Sequence, residues 1–113
     1  MKRRLVFLAA ALFSTATHAQ FVDGNFLHDL CSRAPQSAQS YAIGVADETF
    51  MMQQSVGDDG LPLIPAYICI PAGVSSLQVK DSVCAYLADN PESRHWPAAI
   101  LTRNALLEAW PCQ

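Results

Sequence analysis

The sequence predicts an all-α fold: a small four-helix domain with two disulfides. Three observations lead there. Apolar residues recur at helical spacing in four segments, each bounded by proline, glycine or a capping residue. The four cysteines, Cys31, Cys69, Cys84 and Cys112, are an even set in a chain of 113 residues. A core of that size is too small to be strongly stable without cross-links.

The first nineteen residues read as a cleavable signal peptide rather than as part of the fold. Lys2, Arg3 and Arg4 precede the apolar run "LVFLAAALF" (5–13), and Thr17 and Ala19 offer the small residues of a cleavage site. The run is too short for a permanent bilayer span. The mature domain is expected over 20–113, with export to the periplasm.

In "FVDGNFLHDLCSRA" (21–34) a first helix is expected. Asp23 or Asn25 can cap it, Phe26, Leu27, Leu30 and Cys31 form a stripe, and Pro35 breaks it. "SAQSYAIGVADETFMMQQ" (37–54) predicts a second, with Ala38, Tyr41, Ala42, Val45, Thr49 and Met52 on one side. Gly44 in its middle costs about 1 kcal/mol against alanine, which predicts a close backbone approach there. "SVGDDGLPLIPAY" (55–67) is a rigid loop, and "YICIP" (67–71) is extended. Ser75 with Gln78 three residues on forms a capping box for the third helix. Its stripe is Val79, Val83, Tyr86 and Leu87, and Asn90-Pro91 stops it. Pro97, at the first helical position, opens the fourth. Ala98, Leu101, Ala105 and Ala109 line one face of it, with Leu106 and Trp110 beside them. His95–Trp96 is expected to be a packed aromatic anchor ahead of it.

The bridges follow from helix lengths. The third helix (76–89) and the fourth (97–110) are each about 21 Å long, and the short connection favours an antiparallel pair. Cys112 then returns beside the extended segment carrying Cys69. Cys84 lies about 12 Å further along the third helix. Bridged cysteines need Cα atoms within about 7 Å. Of the three connectivities, only Cys69–Cys112 with Cys31–Cys84 passes. Each closes a long loop and contributes about 4 kcal/mol in the chain-entropy picture.

Without the leader the charge balance is acidic. Three of the seven Lys/Arg fall in residues 1–19 and none of the ten Asp/Glu, leaving four cations against ten carboxylates. Nucleic acid is a poor partner for such a chain. A basic protein suits it, because opposite charge accelerates encounter, and simple solubility accounts for the same charge equally well. Catalysis is not expected: there is no nucleophile elbow and no phosphate loop, and bridged cysteines are not nucleophiles. The Cys spacings of 38, 15 and 28 residues contain no metal clamp, and His28 and His95 join no cluster, so neither metal nor cofactor is expected. Asp47–Glu48 and Asp58–Asp59 are adjacent acidic pairs, and solvated surface is the default reading of both.

Three stretches carry a resemblance: "GNFLHDLC" (24–31), "YAIGVAD" (41–47) and "CIPAGVSSLQVKDSVCAYLADNPESRHWPAAILTRNALLEAWPC" (69–112). Their motifs are an early G-N-x-L…C, then Y-x-x-G-V-x-D, then C-x-P-x-G-V…Q, closing with P-E-x-R-H-x-P-A-A-x-L and a final P-C. Together they resemble the Rap/Tai-type immunity proteins of bacterial type VI secretion. The family pattern also has a cysteine shortly before the tyrosine. This chain has Ala38 or its neighbours there, and Cys84 looks like the replacement. The resemblance implies a helical periplasmic protein, often a homodimer, that binds and blocks a peptidoglycan amidase effector. The loops expected to meet that effector are Gly57–Pro65 with Asp58 and Asp59, and Asn90–His95 with Glu92, Arg94 and His95. Competing classes are a periplasmic acid-stress chaperone and an orphan inhibitor of another envelope hydrolase.

Overall fold

The computed structural model describes residues 21–113, so the expected signal peptide lies outside the described residues. Four α-helices follow in order: α1 (Gly24–Arg33), α2 (Pro35–Gln54), α3 (Ser76–Asp89) and α4 (Ala98–Ala109). A single 3-10 turn at Pro91–Ser93 joins α3 to α4. Among the described residues only isolated β-bridges occur, no strands.

Asp23 caps α1, its Oδ1 accepting from Phe26 N at 2.8 Å. Pro35 does more than break the helix. Ala34 is the one residue out of helical geometry (φ −147°, ψ 69°), and Pro35 then opens α2 at its first position, where no N–H is missed. α3 spans the expected residues, and both halves of the capping box form: Gln78 N donates to Ser75 Oγ and Ser75 N to Gln78 Oε1. Pro97 departs from expectation. It is the extended N-cap of α4 (φ −53°, ψ 131°) rather than its first helical residue, because it is drawn into a bridge with Asp23.

All four helices contribute to one core, built on Leu27, Ala38, Ala42, Ile68, Val79, Val83, Leu87, Leu101, Ala105 and Leu106. α4 packs on α3, as the short connection requires, and both also pack on α1 and α2. Ala109 was expected on the buried face, but the helix ends at it and it is exposed. Trp110 is half-buried against the core.

The close approach expected at Gly44 falls at another glycine. A Cβ on Gly44 would meet nothing within 4 Å, so no backbone approaches there, and its helix-propensity cost has no packing reason within the chain. The close approach is at Gly24. A Cβ there would run into Leu101 Cδ1 and lie 2.7 Å from the Arg94 carbonyl oxygen. Gly24 N also donates to Trp96 O, Asn25 N to Arg94 O, and Ala98 N to Val22 O. Backbone therefore pins the start of α1 to residues 94–98. The His95 and Trp96 side chains are not the packed anchor expected: both are exposed, Trp96 by 47%. The carbonyl of Trp96 anchors instead.

The structure brings the cysteines together in the expected pairs, Cys31–Cys84 with Cα atoms 5.9 Å apart and Cys69–Cys112 at 4.9 Å. The second pair sits where the chain's tail lies antiparallel to the 67–69 segment: Ile68 bridges Pro111, Cys69 N donates to Trp110 O, and Cys112 N donates to Tyr67 O.

Candidate partner-binding face

The loop after α2 is a short hairpin. Val56 bridges Pro62, Gly57 N donates to Leu61 O, and Leu63 N donates to Ser55 O. Gly60 turns the tip with φ +77°, a conformation that L side chains rarely adopt. Asp59 Oδ1 accepts from Leu61 N at 3.0 Å, an Asx contact that stiffens the tip. Asp58 and Asp59 are both exposed there.

One buried amide fixes the base of this hairpin. Gln53, 9% exposed near the end of α2, accepts at Oε1 from Tyr67 N and Ile68 N and donates from Nε2 to Ile68 O. Both ends of the 55–66 loop thus leave from one rigid point, next to the Cys69–Cys112 bridge. Between α2 and residues 66–71 lies an apolar groove of about 370 Å³, walled chiefly by Ala46, Phe50, Ala66, Ile68, Ile70 and Pro71.

Residues expected on the second loop lie elsewhere. Glu92, within the 3-10 turn, and His95, just after it, are exposed at the opposite end of α4 from the hairpin, and α4 is about 18 Å of helix. The structure does not bring them to Asp58 and Asp59. The Arg94 side chain turns inward. Its Nη1 lies 2.7 Å from His28 Nδ1, and its Nε is buried without a partner. Arg94 therefore helps hold α1 in place.

Of the acidic pair on α2, Asp47 is exposed, whereas Glu48 pairs with Arg103 of α4. Arg103 Nε also donates to Thr49 Oγ1, whose hydroxyl donates to Val45 O. Glu48 is thus a tie between helices as well as the exposed surface residue expected. On the same helix, burial raises the Tyr41 phenol above its ordinary pKa, so it stays protonated at neutral pH. Sequence reasoning missed Gln53, the groove and the Arg103–Thr49–Glu48 tie. Each joins residues remote in sequence, and no local pattern marks them.

No group of three or more metal-binding side chains occurs among the described residues. Both cysteine pairs are bridged and none is left free, as in an extracellular or periplasmic protein. The family model of the Rap1a immunity proteins matches residues 23–112. No curated protein and no solved structure matches the chain. The family match takes in every element from the Asp23 cap to the Cys112 bridge, and the chain belongs to the Rap1a immunity protein family.

Proposed function

We infer that this chain is a periplasmic immunity protein that binds and inhibits a peptidoglycan amidase delivered by type VI secretion, protecting the cell that makes it. One observation supports the reading most: a stiff, protruding hairpin with two exposed aspartates, built on a point fixed by Gln53 and a disulfide. A preformed projection loses little conformational freedom on binding, and so suits obstruction of an enzyme cleft. The family membership supplies the class of partner, and the acidic balance favours a basic one.

The test is a titration of a type VI secretion amidase effector of the producing cell, with peptidoglycan hydrolysis as readout. The wild-type chain abolishes activity at one equivalent. Asp58→Lys/Asp59→Lys weakens inhibition about a hundredfold, because two charge reversals meet a complementary surface. Unchanged inhibition by the variant removes the hairpin from the interface. If the wild-type chain leaves the amidase active but suppresses acid aggregation of unrelated proteins, the chaperone reading replaces this one.

A further inference from the structure

The groove behind the hairpin is a separate feature with its own chemistry. Its walls are apolar, and its floor is already built. Ile68 is held by Gln53 through two bonds and by the bridge to Pro111, and Cys69 at its edge is tied to Cys112. Apolar side chains crowd this end of the molecule. Phe50 and Met51 are each 60% exposed, Val56 64%, Leu61 62% and Leu63 52%. Five of the eleven most exposed large hydrophobic residues thus come from positions 50–63. Scattered apolar residues need no explanation, but a contiguous set beside a concave site marks an interaction surface.

The charge pattern says what covers it. Residues 34–79 contain no lysine, arginine or histidine, yet they carry Asp47, Glu48, Asp58 and Asp59. Every groove residue and every hairpin residue comes from this cation-free stretch. Arg103 takes up Glu48, whereas among the described residues Asp47, Asp58 and Asp59 have no cation at ion-pair distance. Of the other cations, Arg33 is paired with Asp29 and Lys80 with Asp81, while Arg94 lies against His28. An apolar slot built from a stretch of chain that carries carboxylates and no cation complements one kind of surface: an apolar side chain with basic neighbours.

We propose that this groove is an anchor site for a protein segment that presents a large apolar side chain between lysines or arginines. The proposal rests on the reading of the chain as a protein-binding protein, and adds to it a second contact beside the hairpin. The apolar side chain enters between Phe50, Ile68 and Ile70, and its cationic neighbours meet Asp47 and the hairpin aspartates. A single well-filled apolar pocket at the centre of a contact carries much of its binding energy, while the charges set orientation and rate of encounter.

The test uses the full mature chain and three capped tripeptides, Lys-Phe-Lys, Glu-Phe-Glu and Lys-Gly-Lys, followed through the backbone amide resonances. Lys-Phe-Lys is expected to shift Phe50, Ala66 and Ile70 saturably, and to bind about tenfold more tightly than either other peptide. Ala66→Arg places a bulky cation on an exposed, non-helical groove residue, and should abolish those shifts with thermal unfolding unchanged. Phe50→Gln, at a half-exposed helical position, should weaken them. The proposal is overturned if the acidic peptide binds equally well, if shifts gather instead around Phe26 and Trp96, or if Ala66→Arg leaves them intact. None of those outcomes touches amidase inhibition, so this proposal and the functional reading fail separately.

Discussion

Replacing Cys31 and Cys84 together by alanine should lower the unfolding free energy by about 4 kcal/mol. The bridge closes a loop of 53 residues and ties the last turn of α1 to the middle of α3. α1 has only ten residues, too few to be helical on its own in water. It stays in place through the buried Leu27, the backbone bonds from Gly24 and Asn25 to the 94–96 segment, and this bond. Small domains have on the order of 5–10 kcal/mol in total, so losing the bridge removes a large share. Urea unfolding of the double variant checks it: the midpoint should fall steeply, and a loss under about 1 kcal/mol would show that α1 holds by packing alone. The Cys69–Cys112 pair closes 43 residues, and its entropic contribution is within about 0.2 kcal/mol of the first.

Gln53→Leu is the second large effect, expected to cost about 2–4 kcal/mol. Leucine nearly matches glutamine in volume, so little cavity forms. What is lost is the pairing of three backbone groups: the N–H of Tyr67, and the N–H and C=O of Ile68. Ile68 is buried, so its two groups find no water in exchange, and each orphaned group costs about 1–3 kcal/mol. Tyr67 is only half-buried and recovers solvent. The damage is local to the base of the hairpin. Amide exchange should accelerate at Ile68 and Leu63 while Val79 and Val83 of α3 keep their protection. A variant as stable as wild type, with Ile68 still slow to exchange, would mean that the bridge to Pro111 positions this segment without the amide.

How far the fold could be read from the sequence follows the range of the interactions. α3 was legible to the residue, because its capping box and apolar stripe are both written within fourteen positions. The cysteine pairing was legible because helix rise turns residue number into distance. Pro35 ends the first helix as read but also opens the second two residues earlier than expected, and Pro97 caps its helix rather than opening it because its backbone is drawn to Asp23. Gly44 and Gly24 look alike as letters. Only the docking of α1 against Arg94 and Leu101 makes one of them necessary. For the candidate site, Asp58 and Asp59 announced themselves by composition. Gln53 did not, since nothing in "MMQQ" separates the glutamine that organises the hairpin from the exposed Gln54 beside it. Arg94 sits in a polar run that reads as surface, yet its guanidinium reaches His28, 66 positions earlier.

The partner is expected at the C-terminal end of α4, by the hairpin and the groove. Hydrogen–deuterium exchange of the chain alone and bound to the amidase it inhibits decides it in one measurement. Slowed exchange across 56–63 and 66–70, with 91–95 unchanged, is the predicted footprint. Protection confined to 91–95, leaving the hairpin and the groove as open as in the free chain, would contradict it.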